Sequence, residues 1–375
     1  MIEREVAAAI AMASEPLAVA TVVGVRGSAY RRPGARMVFS QTEHLAGSVS
    51  GGCLEGELAR TGWWHTERGP VVVTFDASDD DEVRRGTGCG GSIDILLERV
   101  GQRGVDPLAA IARCVSEQRR AVIATVISST DRRFAIGTYA AIGDRVDGEL
   151  HPDLAETLIA DAKTALGSGT TRTVTYTTET GELQVLLEAL VPPPQLFVMG
   201  TGPDAAALAD CAHAIGWQVV VVAPSLRPTL RTRFARAELV ADPLDTIAAR
   251  IDAADRAAVV VINHDLARDT ACLDRALASN ASYVGALGPR QRTQKMLAEV
   301  GRELNDARLH APVGLQLGAE TPREIALAIV AEIQCELAHA TGAPLRERDT
   351  AIHAETAQTG AVSSVSLRLT GCSAA

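Results

Sequence analysis

The chain has 375 residues, 47% of them hydrophobic and only 3% aromatic, with a formal net charge of -10; that length and apolar share predict two globular domains with sizeable cores. The acidic balance excludes a chain-wide footprint for nucleic acid or for an anionic membrane surface and leaves only local basic pockets. No apolar run reaches the roughly 18 to 20 residues of a bilayer span. The opening MIEREVAAAIAMASEPLAVA carries acids ahead of its apolar stretch, which reads as an amphipathic helix and not a secretory signal. Seven cysteines at no repeating spacing fit reduced thiols in the cytoplasm better than the disulfide framework of a small secreted domain.

From Leu17 to Val100 the strand-like runs LAVATVVGV, RMVFS, PVVVTFD and SIDILLERV alternate with glycine-rich loops and one helical stretch, Leu54 to Glu67. This predicts an α+β unit rich in loops. A helix near Asp106 to Arg119, strands AVIATVI and AIGTYAAI, a helix near Asp153 to Leu166, and strands RTVTY and LQVLLEALV follow. The triple proline Pro192 to Pro194 cannot continue a sheet and marks the domain boundary. Beyond it LFVMGTGPD, QVVVVAPS, AELVAD, AVVVINHD and SYVGALGP are short β-rich runs separated by helical segments. Regular alternation of this kind predicts a Rossmann-like, doubly wound parallel sheet, closed by the helix Pro322 to Ala338 behind the cap-like Thr321. The expected organisation is an N-terminal α+β, cysteine-bearing domain over 1–191, a C-terminal α/β Rossmann-like domain over 195–343, and a flexible tail over 344–375, where helix breakers, Thr and Ser accumulate.

The residues that carry chemistry collect in loops. Arg26-Gly27-Ser28-Ala29-Tyr30-Arg31-Arg32-Pro33-Gly34-Ala35-Arg36 is the concentrated basic loop of the first half. Its Arg26, Arg31 and Arg32 would suit an anionic, phosphate-bearing ligand, the alternative being a solvated hairpin connection. Cys53 follows Gly47-Ser48-Val49-Ser50-Gly51-Gly52 at the start of the predicted Leu54 helix. Helix N-terminal amides there favour the thiolate, the form that attacks sulfur donors and binds soft metals. Cys89 lies in Gly86-Thr87-Gly88-Cys89-Gly90-Gly91 behind Arg84 and Arg85. Gly51, Gly52, Gly90 and Gly91 would let the backbone approach a bulky ligand closely.

The alternative for Cys53 and Cys89 is a small buried residue beside a tight turn, and no CxxC or HxxxH spacing accompanies either to indicate zinc. Cys114, Cys211, Cys272 and Cys335 fall within helical patterns and read as packing residues, while Cys372 in the tail is assigned no role. The acidic run Asp79-Asp80-Asp81-Glu82 reads as a solvated charged loop before it reads as a hard-cation site.

After the boundary, Gly200-Thr201-Gly202-Pro203-Asp204-Ala205 ends a strand and opens a helix, so its amides are positioned to approach a phosphate; a ligand-free αβ turn is the alternative. A dinucleotide site expects an acidic residue about 20 residues later for the ribose hydroxyls, and Val222-Ala223-Pro224 stands there. Arg227 nearby reads as a phosphate partner or a surface charge. Asn263-His264-Asp265 and Gly285-Ala286-Leu287-Gly288-Pro289-Arg290-Gln291-Arg292 should lie over the same end of the sheet. There His264 would hydrogen-bond a ligand or transfer a proton, or else support Asp265 as a helix cap; Arg290 and Arg292 would meet an anion, or else form a solvated first turn.

Taken together, RGSAYRRPGARM, GSVSGGCLE, GTGCGGSIDILLE, FVMGTGPDA, VVVINHDLARD, YVGALGPRQRTQKM and APVGLQLGAETPREIALAIVAEI resemble the XdhC/CoxI family over nearly the whole chain. The resemblance implies an accessory protein that binds the pyranopterin molybdenum cofactor, protects it while sulfur replaces an oxo ligand, and delivers it to an apo molybdenum hydroxylase of the xanthine dehydrogenase type. It also implies a cysteine desulfurase as sulfur source and a homodimer. On that reading Arg26, Arg31, Arg32 and the Gly200–Gly202 turn face the cofactor's phosphate end, Cys53 and Cys89 contact molybdenum or carry sulfur, and no residue is catalytic. Ala223-Pro224 departs from the acidic residue that the family commonly carries, which weighs against a nucleotide at the Rossmann-like domain. The competing readings are an NAD(P)-dependent oxidoreductase with His264 as acid or base, and a sulfur-transfer enzyme centred on Cys53 that acts without pterin.

Overall fold

The computed structural model describes residues 5–6, 9–10, 12, 15–27, 30–52, 54–76, 92–101, 107–148, 150–347 and 365–366. The chain divides into two compact units, Met1–Val191 with Thr350–Ala375, and Pro192–Asp349.

The first unit contains two largely antiparallel sheets. Strands β1 (Ala18–Arg26), β2 (Arg36–Phe39), β3 (His44–Gly47), β4 (Val71–Asp76) and β5 (Ser92–Arg99) form the first, in the order β3-β2-β1-β5-β4. Helix α1 (Glu55–His65) buries Leu58 and Trp63 against Ala18, Ala20 and Val22 of β1, the side chains that the period-2 alternation turns to that face. The opposite β1 residue Val19 joins Leu108 and Ile111 of α2 (Pro107–Glu117). The second sheet orders β6 (Ala121–Ser129), β7 (Tyr139–Ile142), β8 (Val146–Gly148), β9 (Arg172–Thr177) and β10 (Glu182–Leu190) as β9-β10-β6-β7-β8. Helix α3 (Pro152–Ser168) packs Leu154, Leu158 and Ala162 on Val122, Ala124 and Val126 of its central strand. Val365–Ser366, within the segment expected as a flexible tail, pairs in parallel with Tyr176–Thr177 at the edge.

The predicted run AIGTYAAI becomes a strand only from Tyr139. Gly137 turns with φ +80°, and a Cβ there would lie 2.7 Å from Pro70, so the chain bends before it pairs.

The second unit is one parallel sheet of β11 (Gln195–Met199), β12 (Gln218–Val222), β13 (Glu238–Val240), β14 (Ala257–Val261), β15 (Tyr283–Ala286) and β16 (Leu309–His310), ordered β13-β12-β11-β14-β15-β16. Numbered from β11, this is the 3-2-1-4-5-6 order of the dinucleotide-binding fold, and its switch point lies between β11 and β14. Both faces are covered because the strands are apolar on both. Leu196, Val198 and Val260 meet α4 (Pro203–Ala214) and α9 (Pro322–Ala338), while Phe197, Met199 and Val259 meet α6 (Leu244–Ala253), α7 (Leu266–Ala278) and α8 (Arg290–Glu299). A short α5 (Pro228–Arg233) precedes β13. Thr321 caps α9 through a reciprocal exchange with Glu324, the geometry expected of Thr followed three residues later by Glu.

Candidate functional site

In the first unit the loop before α1 is organised around one carboxylate. Glu55, the first residue of α1, is buried, and its Oε1 accepts from Ser48 Oγ at 2.7 Å and from the amides of Val49 and Ser50 at 2.9 Å each and of Gly51 at 3.2 Å. Its Oε2 accepts from Ser50 Oγ at 2.5 Å and from the Gly52 amide at 2.8 Å. Burial alone would raise this carboxyl, but the hydrogen bonds, those of Ser50 foremost, outweigh it and hold Glu55 down at about 2. Gly51 and Gly52 supply the left-handed backbone, φ +86° and +124°, that curls these amides onto one acceptor. Cys53, between Gly52 and Leu54, lies outside the described residues, as do Cys89, Gly90, Gly91, the Asp79–Glu82 run and Cys372.

The basic loop packs onto this one. The Ser48 amide donates to the Arg36 carbonyl at 2.8 Å, and a Cβ on Gly51 would come within 2.8 Å of the Tyr30 ring. Yet the loop's arginines are not equivalent. Arg26 gives both Nη atoms to Asp94, at 2.6 and 3.0 Å. Burial raises Asp94, and the bonds from Arg26 and Thr74 more than offset that, keeping it below the usual carboxylate range. Arg36 is buried and makes a two-pronged pair with buried Glu188 on β10, at 2.8 and 2.5 Å, while also donating to the Gly34 carbonyl. Arg31 is different: its guanidinium lies 5.2 Å from the Tyr30 ring centroid, and its buried Nε has no hydrogen-bond partner among the described residues. Arg32 is exposed.

In the second unit the loops after β11, β14 and β15 gather at the carboxyl end of the sheet. Gly200 passes so close to β14 that a Cβ would lie 2.4 Å from the Ile262 carbonyl oxygen, whereas the space around Gly202, the N-cap of α4, is open. Ala205, in the third position of the glycine turn, is fully buried against the sheet. Arg233 closes over the turn by donating to the Thr201 carbonyl at 2.9 Å. His264 takes a left-handed φ of +63° and brings Nε2 to 3.4 Å from Asp204 in the first turn of α4. Asp265 caps α7 by accepting from the Arg268 amide at 2.8 Å. Arg292 is anchored by buried Asp269, which also accepts from the Asn263 amide and side chain, so the loops after β14 and β15 are tied together. Arg290 is exposed at the start of α8. Ala223, where a ribose-binding acid would stand, is buried and donates its amide to Val240.

The structure therefore joins Gly51 to the basic loop and Gly200 and Gly202 to His264. Sequence reasoning overlooked Glu55, Tyr30, Asp204 and Asp269. The signal for Glu55 was present: a carboxylate in the first turn behind serines and glycines is positioned to collect loop amides. Tyr30 carried no periodic signal. Cys114 and Cys272 are buried in core clusters, and burial pushes the Cys272 thiol up to about 11, away from reactivity. Among the described residues no group of three or more His, Cys, Asp or Glu is placed to hold a metal ion, and no helix is long and apolar enough to cross a membrane.

A doubly wound domain joined to a unit that carries a glycine-flanked cysteine loop defines the class. Residues 196–333 match the model for the XdhC Rossmann domain, and residues 10–76 match that for the XdhC and CoxI family. The chain is 28% identical over 325 residues to a probable xanthine dehydrogenase subunit of Bacillus subtilis, covering 85% of this chain and 92% of that one. It is 26% identical over 337 residues to the molybdenum cofactor insertion chaperone PaoD of Escherichia coli, covering 86% and 84% respectively. The crystal structure of a xanthine dehydrogenase from Bacillus halodurans superimposes with a TM-score of 0.71 at 27% identity, over 92% of this chain and 99% of that one. The chain belongs to the XdhC/CoxI family.

Proposed function

We propose that this protein is a cytoplasmic binding and transfer chaperone for the pyranopterin molybdenum cofactor, serving a hydroxylase of the xanthine dehydrogenase type. The observation that carries the reading is the packing of the basic loop onto the glycine loop at Tyr30 and Gly51, with Arg31 over the Tyr30 ring and Cys53 two residues after Gly51 in the sequence. Soft sulfur for the metal and cationic nitrogen for the anionic ligand are the donor types such a cargo requires. The resemblance to a cofactor insertion chaperone across most of the chain supports it. In this reading Cys53 and Cys89 meet the molybdenum or carry sulfur from a cysteine desulfurase, Arg31 and Arg32 face the cofactor's anionic groups, and the functional form is a homodimer. At the Rossmann-like domain Gly200, Gly202, His264, Arg290 and Arg292 border a crevice for a phosphate-bearing end or a nucleotide.

The test is pterin fluorescence and molybdenum content of protein purified from a cofactor-competent host, wild type beside Cys53→Ser, Cys89→Ser and Gly202→Asp. Roughly one cofactor per chain in wild type, lost in one or more variants, supports the carrier; pterin-free wild type overturns it. An NAD(P)-dependent oxidoreductase is the second reading, favoured by the strand order and the Gly200 turn. Buried Ala223 weighs against it, because it offers no carboxylate to the ribose hydroxyls.

A further inference from the structure

We infer that Tyr30 and Arg31 form a stacking subsite for a planar, anionic heteroaromatic ring, and that the glycine loop before α1 is not a phosphate cradle. The inference rests on the carrier reading for its biological ligand but on geometry for its chemistry. A phosphate cradle needs backbone N–H groups free to point at the ligand. Here the amides of Val49, Ser50, Gly51 and Gly52 all point at Glu55. An incoming anion would have to displace a buried carboxylate from these four amides, so the loop's backbone is already occupied.

What the loop leaves open is aromatic and cationic. Tyr30 is 64% exposed, in a chain with only four tyrosines, although its ring is fixed against Gly51. A side chain at Gly51 would push the ring away, since its Cβ would lie 2.8 Å from Tyr30 Cδ1. The Arg31 guanidinium lies over the Tyr30 ring, 5.2 Å from its centroid, and its Nε is a buried donor without an acceptor among the described residues, a state that costs free energy until an acceptor arrives. The nearby carboxylates Asp94 and Glu188 are already taken by Arg26 and Arg36, and in this proposal an acceptor on the ligand completes Arg31. Among the described residues, and apart from its chain neighbours, none has an atom within 4 Å of a Cβ built on Gly52, the residue before Cys53. Cys53 follows Gly51 by two residues, at most about 7 Å along the backbone, so a ring stacked on Tyr30 is held near the cysteine-bearing segment, which suits the ring of a pterin and leaves the phosphate to another part of the protein.

Pterin-6-carboxylate, followed by quenching of its fluorescence, is the probe for the full-length protein, with inorganic pyrophosphate as competitor. Tyr30→Phe keeps the π face and should bind within twofold of wild type. Tyr30→Leu fills the space beside Gly51 without a π face, and Arg31→Ala removes the donor; each should weaken binding by about tenfold, with thermal melting unchanged. Pyrophosphate should fail to displace the probe. Wild-type affinity in Tyr30→Leu, absence of binding by wild type, or ready displacement by pyrophosphate would each overturn the subsite. Molybdenum content separates the two proposals. If it is retained equally by wild type and Tyr30→Leu, the subsite falls while the carrier stands; if wild type binds the probe tightly yet carries no molybdenum, the carrier falls while the subsite stands.

Discussion

Glu55 is the residue on which the cysteine loop closes, and its removal should be felt beyond its own contacts. Glu55→Gln puts an amide donor among donors and should cost about 2–3 kcal/mol, read by urea denaturation. Its pH dependence has a definite sign. The carboxyl is held at about 2 in the folded chain against an ordinary 4.5, so its stabilisation is complete above about 4.5 and is lost as pH falls through about 2. Wild type should therefore lose its advantage over Glu55→Gln on acidification from pH 5 to 2, and a constant gap between the two would contradict the assignment. The serines, glycines and acid of this loop were all visible in the sequence, but their convergence was not. Backbone amides leave no trace in residue type, so a glycine loop that binds a ligand and one that binds its own glutamate look alike.

At the scale of elements, the hydrophobic pattern located the helices and most strands, because alternation and helical spacing are set by which face is buried. It did not reveal how the strands of the first unit pair, since antiparallel order depends on loops the pattern does not encode. Nor did it reveal that Arg36 on β2 reaches Glu188 on β10, 152 positions away, to bridge the two sheets of that unit. Removing one partner leaves a buried charge, and Glu188→Ala should destabilise the protein by about 3–5 kcal/mol. The double replacement Arg36→Met with Glu188→Leu should recover most of that in the same denaturation experiment. The Rossmann-like half was far more legible, because parallel strands buried on both faces read as continuous apolar runs such as Val219 to Val222.

For the molecule as a whole, the second unit holds apolar cores on both faces of its own sheet. A fragment spanning Pro192 to Asp349 should therefore unfold in a single cooperative thermal transition, measurable by circular dichroism. Titrating the full chain with NAD and NADP should remain flat to about 1 mM, because Ala223 offers the ribose no acceptor side chain. A saturable response below that concentration would restore the oxidoreductase reading.

On the carrier reading, the six donors gathered by Glu55 bear also on how the proposed guest enters and leaves. A loop whose own backbone is satisfied holds its shape when empty, so arrival of a guest brings little loss of chain freedom and departure leaves no exposed amides to be rehydrated. Tenure is then governed by a few side chains at the rim. Such a surface can load and unload without refolding, and a neighbour with a better set of ligands can take the guest from it.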